Sequence, residues 1–246
     1  MKSISLMFPV YKDEATIERV TQKALNLLPS LFKKYEIIIV DDGSPDRSGK
    51  IADRLALKHK CIRVIHHSNN MGYGAAIKTG LNSCKNDLIC MIDGDDEYDL
   101  YDLINLMKII RHYDLIITFR YKKLYSSKRI FISWSYNMII RYLFKTRFRD
   151  ISTGLRLLRR DMIQDIDLFS SSPFIGAEIA IKAMYKGYAV GEMGIQTFPR
   201  EFGRGQSVTF ANIVATIRDM LKIYKLIFSD QYSLPFNRKR GNIKLK

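Results

Sequence analysis

The sequence predicts an α/β fold: one domain with a mostly parallel central sheet flanked by helices. Three observations carry this. Short apolar runs alternate with longer segments of helical period through the first 120 residues. Each run is only strand length and bounded by polar residues. The chain, 246 residues with 47% hydrophobic content, is long enough to fill one sizeable core.

In order, the strand candidates are Ile4–Phe8, Glu36–Val40, Ile62–Ile65, Leu88–Ile92 and Leu115–Thr118. Between them lie helical patterns around Ala15–Phe32, Ser48–Leu57, Ala75–Cys84 and Leu100–Ile110. This rhythm predicts parallel strands with helices on both faces. No internal repeat or low-complexity linker divides the chain, so a single domain over 1–228 is expected, followed by a basic tail, 229–246, expected to be disordered.

Charge narrows the classes of partner. Forty Lys and Arg against 25 Asp and Glu leave a net charge of +15, which suits a nucleic acid, an anionic leaflet or a phosphorylated substrate. Cys61, Cys84 and Cys90 have no CxxC spacing, which argues against a zinc site or disulfide framework and for a reducing compartment. The apolar stretch Ile4–Val10 is too short for a signal-peptide core and is cut by Pro9, so a cytoplasmic location is expected. No window offers the roughly 18 uninterrupted apolar residues that a bilayer span needs. The chain is expected to lie on a membrane, not to cross one.

The most informative segment is Asp93-Gly94-Asp95-Asp96-Glu97, directly after the apolar run Leu88–Ile92. A buried strand would deliver these carboxylates at its C-terminal end, where open α/β sheets bind ligands. If the backbone stays extended, Asp93, Asp95 and Glu97 share one side. Clustered carboxylates suit Mg²⁺ or Mn²⁺ that also holds substrate phosphates; an acidic turn is the competing reading. Two further loops fall on the same edge of a parallel sheet: Pro9-Val10-Tyr11-Lys12-Asp13-Glu14 and Asp41-Asp42-Gly43-Ser44. Tyr11 could stack on a base while Asp13 or Asp42 accepts from base N–H groups or ribose hydroxyls.

After Arg120 the character changes. Residues 122–149 hold eight Lys or Arg, seven aromatics and no acid. Such a stretch fits a membrane interface, or a helix packed on the sheet with a solvated basic face. A second amphipathic candidate runs from Val208 to Phe228.

Taken together, Pro9-x-Tyr11-x-Asp13-Glu14, Asp41-Asp42-Gly43-Ser44, Asn70-Met71-Gly72-Tyr73-Gly74-Ala75 with Gly80, Asp93-Gly94-Asp95, Arg120, Asp150-Ile151-Ser152-Thr153-Gly154-Leu155-Arg156 and Arg200 through Ser207 resemble, in that order, glycosyltransferase family 2. The similarity is greatest to the polyprenol (dolichol) phosphate mannosyl- and glucosyltransferase branch, which implies a GT-A fold with a nucleotide-sugar half, about 1–120, and an acceptor half, about 121–228. The resemblance implies that Pro9, Tyr11, Asp13, Asp42 and Gly72 line the nucleoside pocket. Asp93 would lie near the ribose and diphosphate, and Asp95 and Glu97 would hold Mg²⁺ or Mn²⁺. Arg120, Ser152, Arg156, Arg200 and Ser207 would face donor diphosphate and acceptor phosphate. Lys12 stands where the family usually has Asn, and Gly94 where this branch often has Ala.

The implied reaction is inverting transfer of a sugar from a nucleoside diphosphate donor to a polyprenyl phosphate or a glycan hydroxyl. A phosphate acceptor attacks unaided, whereas a hydroxyl needs a base. Glu178 is the candidate base in the later half, with a helix N-terminal acid as its alternative. Gly43 through Ile51 departs from a Walker A loop in spacing and ends in Ile where Ser or Thr is required, and Gly72-x-Gly74 lacks a third glycine. His66 and His67 read as structural. A nucleotidyltransferase would need a Gly-rich N-terminal activation loop that is missing. A nucleic-acid-binding module would leave the carboxylate loops idle, so no nucleic-acid partner is expected. Donor sugar, base and oligomeric state stay open.

Overall fold

A computed structural model describes residues 3–124, 126–199 and 209–229. The elements run β1 (Ser3–Val10), α1 (Ile17–Leu31), β2 (Lys34–Asp41), α2 (Ser48–Lys58), β3 (Ile62–His66), α3 (Tyr73–Ser83), β4 (Leu88–Met91), α4 (Asp102–Ile109), a 3-10 turn at Ile110–His112, and β5 (Leu115–Arg120). There follow α5 (Ser127–Phe144), β6 (Arg156–Arg159), α6 (Arg160–Gln164), α7 (Ile175–Tyr185), β7 (Val190–Ile195) and α8 (Phe210–Phe228). All nine strands and helices expected before residue 120 are present, with ends shifted by a few residues. The basic tail lies outside the described residues beyond Ser229.

Seven strands form one sheet in the order β3-β2-β1-β4-β6-β5-β7. Every ladder is parallel except those of β6, which runs antiparallel to both β4 and β5. Arg156 at the start of β6 pairs with Met91 on one side and Ile117 on the other. An antiparallel strand begins where its parallel neighbours end, so the segment leading into β6 lands on the sheet edge that carries the loops after β1, β2 and β4.

Both faces of the sheet are covered, as continuous apolar strands require. Met7, Ile38, Val40, Ile89, Met91, Ile117 and Leu158 pack under α3, α5, α6, α7 and α8. Leu6, Phe8, Ile37, Ile39, Cys90, Ile116 and Leu157 pack under α1, α2 and α4. Nine of the eleven residues of α7 are buried, from Ile175 to Ala183. By contrast α5 buries Asn137, Ile140 and Phe144, and α8 buries Asp219, Met220, Ile223 and Ile227. Among the described residues no helix is long and apolar enough to cross a membrane.

Candidate active site

At the end of β1 the chain turns sharply. Lys12 adopts a left-handed backbone conformation, φ 62°, a region where Asn is far more at ease than Lys. That accounts physically for the Asn more usual at this place. The turn brings the Asp13 carboxylate back to accept the Tyr11 N–H at 3.1 Å, while the Asp13 carbonyl accepts the N–H groups of Thr16 and Ile17 and opens α1. Lys12 Nζ lies 5.2 Å from the centre of the half-exposed Tyr11 ring. Pro9 is buried inside β1, opposite Val40, and shapes the strand without offering a contact surface.

After β2, Asp42 is only 3% exposed and its oxygens are spent inside the protein. It accepts the N–H groups of Met71 and Gly72, both at 2.9 Å, and meets His67 Nδ1 at 2.6 Å. The direct contact to a nucleoside expected of Asp42 is therefore replaced by an indirect role: it holds the loop entering α3. Gly72 caps that helix at φ 94°, a conformation natural to glycine. His66 bonds Asp41 and Asp53, and those bonds raise its pKa, with Asp53 contributing most.

The carboxylate cluster after β4 does not stay extended. The chain turns through Gly94 and Asp95, and Asp96 is left-handed at φ 60°. Asp96 is drawn to α1, pairing with Arg19 Nε at 2.7 Å and Lys23 Nζ at 2.8 Å. Asp95 accepts the Glu97 N–H at 3.1 Å, and Glu97 is 3% exposed beside the bridge between Tyr98 and Thr197. The expected alignment of Asp93, Asp95 and Glu97 is thus broken by the turn. Among the described residues no group of three or more His, Cys, Asp or Glu could hold a metal ion. The donors at the turn are all oxygens, which fits Mg²⁺ or Mn²⁺ bound by one or two carboxylates and mostly by substrate phosphates; Asp93 and Asp95 are the residues that would hold it.

Asp93 is the meeting point of the two halves. The Tyr73 hydroxyl donates to its Oδ1 at 2.8 Å. A Cβ on Gly154 would overlap the Asp93 carboxylate, so a larger residue there would push that carboxylate from its place. Gly154 donates its N–H to the Tyr98 hydroxyl at 2.8 Å. Burial, followed by the Asp93 charge, pushes the Tyr73 hydroxyl well above its ordinary value, so it stays a donor.

Beside this junction sits a basic cluster built around Asp150. Arg120, at the end of β5, grips it with two bonds, Nε at 2.7 Å and Nη2 at 3.1 Å, and also donates to Ser152 Oγ at 2.9 Å. Lys123 Nζ lies 3.2 Å from the same carboxylate, and Asn137 Nδ2 donates to it at 3.4 Å. Burial alone would raise the Asp150 pKa, but the bond from Arg120 and the neighbouring cations outweigh it and hold the group at about 2. One ionised carboxylate against two cations leaves the cluster positive.

Two expected site residues have other work. Arg156 is 1% exposed and donates to the carbonyls of Thr153, Ile151 and Gly176, so it braces the 151–154 segment and is removed from any phosphate at the surface. Glu178 is fully buried, accepts the N–H groups of Phe169 and Ser170 at 2.9 and 2.8 Å, and pairs with Lys182 at 2.6 Å. A carboxylate so enclosed is a structural acid, not a base facing an acceptor. Arg200 and Ser207 lie outside the described residues. Reading the sequence gave no role to Tyr73, Lys123 or Asp150, although Tyr73 and Asp150 stand within the motifs that carry the family resemblance. Asp150 did carry a signal: it is the first acid after the long acid-free basic stretch.

The profile of glycosyl transferase family 2 matches residues 5–167. A dodecaprenyl-phosphate galacturonate synthase of Rhizobium johnstonii is 26% identical over 240 residues, covering 93% of this chain and 68% of that protein. A polyprenol monophosphomannose synthase of Mycolicibacterium smegmatis is 26% identical over 211 residues, covering 80% of this chain and 78% of that protein. Glycosyltransferase AglD of Haloferax volcanii is 26% identical over 207 residues, and there the chain spans 33% of the relative's length. Among solved structures, glucosyl-3-phosphoglycerate synthase from Mycobacterium tuberculosis, in complex with Mn²⁺, uridine diphosphate and phosphoglyceric acid, superimposes with a TM-score of 0.73 at 17% identity, over 91% of this chain and 78% of that one. That likeness establishes the fold. With its profile spanning both the carboxylate loops and the Asp150 segment, the chain belongs to glycosyl transferase family 2.

Proposed function

We propose that the chain moves a sugar from a nucleoside diphosphate donor to a polyprenyl phosphate at the inner face of a membrane, with inversion. The observation that carries this reading is the positive cluster of Arg120 and Lys123 around Asp150 and Ser152, joined to Asp93 through Gly154. The burial of Glu178 supports it from the other side, because a phosphate acceptor needs no base. The relatives whose names specify a polyprenyl phosphate agree in chemistry.

In this reading Tyr11 offers a ring to the base, and Asp13 holds the backbone turn that presents it. Asp42 and Gly72 shape the pocket wall, and Asp93 faces the ribose and diphosphate. Mg²⁺ or Mn²⁺ at Asp93 and Asp95 would neutralise charge on the leaving diphosphate. Arg120 and Lys123 attract the acceptor phosphate, and Ser152 offers it a hydroxyl. The membrane contact would come from two helix faces. On α5 the rings of Phe131 and Trp134 stack 6.0 Å apart and are both exposed. On α8, Phe210, Ile213, Val214, Ile217 and Leu221 form an exposed apolar stripe, with Arg218, Lys222 and Lys225 on the same helix. Such faces suit an interface that is apolar below and anionic above.

The test is release of free nucleoside diphosphate from a panel of nucleoside diphosphate sugars, with and without polyprenyl phosphate and with Mg²⁺ or Mn²⁺. Turnover that depends on the lipid phosphate is expected. Equal turnover with a glycan hydroxyl acceptor and none with the lipid would replace this reading by the glycan one.

A further inference from the structure

Asp219 is an acid in the middle of a basic amphipathic helix, yet it is 7% exposed. A buried carboxylate is tolerated where hydrogen bonds satisfy it. Its Oδ2 accepts the N–H groups of Ser171 and Ser172, each at 3.1 Å. Glu178 accepts those of Phe169 and Ser170, so two carboxylates hold four successive amides of one loop. The loop passes the constraint on. The Ser171 carbonyl accepts the Gly74 N–H at 2.9 Å, and a Cβ on Gly74 would lie 2.6 Å from the Ser171 carbonyl carbon. Between Gly72 and Gly74 stands Tyr73, whose hydroxyl donates to Asp93. Asp42 pins the segment just before Tyr73 through the N–H groups of Met71 and Gly72.

We propose that Asp219 is a positioning residue for Asp93, acting through the Ser171–Ser172 amides, the Ser171–Gly74 bond and the Tyr73 hydroxyl, so that the outer helix α8 helps set the donor site. The inference rests on the donor-site reading of Asp93. It goes beyond that reading by tying the site to a helix whose exposed stripe is the surface available for docking. Because coupling is reciprocal, filling the donor site also steadies the 171–172 amides.

The test combines nucleotide titration with amide hydrogen exchange on the full chain. Calorimetry uses uridine diphosphate with Mn²⁺ and, separately, guanosine diphosphate with Mn²⁺. In Asp219→Ala we expect exchange at residues 72–76 to quicken about tenfold, along with that at 171–172, while the β1 amides stay protected; nucleotide affinity falls about tenfold, the scale of one ordinary hydrogen bond. Tyr73→Phe should lose affinity to a similar degree and, by cutting the link to Asp93, should abolish the slowing of exchange at 171–172 that nucleotide brings in the wild type. Gly74→Ala, which forces the same contact apart from the other side, should repeat the Asp219→Ala pattern, and it decides the matter if Asp219→Ala does not fold. Faster exchange confined to 169–172, with residues 72–76 and nucleotide affinity as in the wild type, overturns the proposal. If the wild type binds neither nucleotide, the donor-site reading fails separately, and exchange at 72–76 alone decides the coupling.

Discussion

The first 120 residues and the remainder build the same sheet edge by opposite means. In the first part, strands run parallel, each apolar run ends in an acidic loop, and helices cover both faces. In the second, β6 runs antiparallel, and the cations at the edge come from the end of β5 and the loop after it, while the Asp150–Gly154 segment comes from before β6. The first part therefore supplies negative charge and the second positive charge, and they meet where Gly154 packs on Asp93. β5 keeps the direction of β4, so its end delivers Arg120 to this edge, while the reversed β6 delivers the Asp150–Gly154 segment that Arg120 grips.

Breaking the basic side should have the largest effect. Arg120→Ala takes from the buried Asp150 its bidentate cation, leaving Lys123 and the neutral donors Asn137 and Ser152, and should destabilise the fold by about 3–5 kcal/mol, read by denaturant unfolding. The wild type adds a pH signature. Its Asp150 is held at about 2 against an ordinary 3.8, so the stabilisation is complete above about pH 4 and is lost as pH falls towards 2. It amounts to roughly 2 kcal/mol, and the Arg120→Ala acid transition should lack most of it, because Arg120 is the leading cause while Lys123 and Ser152 keep a part. An acid transition of unchanged shape would mean that the two side chains do not form this pair.

Next comes the acidic side. Asp95→Asn keeps an oxygen for the Glu97 N–H but removes a charge, so turnover should fall about a hundred-fold or more while the melting temperature hardly moves. Activity at the wild-type level would remove Asp95 from the metal role. Glu178→Gln should behave in the reverse manner. It leaves Lys182 with a weaker partner in the interior and should lower stability by about 2 kcal/mol, with turnover of the folded protein within about threefold. A large loss of turnover in well-folded Glu178→Gln would restore the base and favour a hydroxyl acceptor. The smallest effect is expected at Lys12→Asn, where relief of the left-handed backbone should stabilise by about 0.5 kcal/mol, visible as a slight rise in melting temperature.

The elements before residue 120 were legible because each apolar run and each helical period is long enough to declare itself. The strands of the second part were not. Arg156-Leu157-Leu158-Arg159 is short and flanked by charge, and Val190–Ile195 contains Gly191, Glu192 and Gly194. Pairing within the sheet makes them strands; their own pattern does not. The site divides in the same way. Ordered motifs pointed to Asp13, Asp42, Asp93 and Arg120, but Tyr73 is an unremarkable aromatic between two glycines until α3 turns it towards Asp93.

By itself the sequence determined the alternating α/β plan, the edge on which the carboxylate loops lie and the excess of positive charge, since these follow from period, strand direction and composition. The tertiary structure decided which charges face one another. Arg156 and Glu178 look like a phosphate clamp and a base in a linear reading, yet each lies in the interior among backbone groups that claim its hydrogen bonds. Asp95 and Glu97 share a parity in the sequence that one left-handed residue at Asp96 removes. Charge belongs to the residue, but burial and the direction of a side chain belong to the fold, because a single turn or a reversed strand reassigns every neighbour.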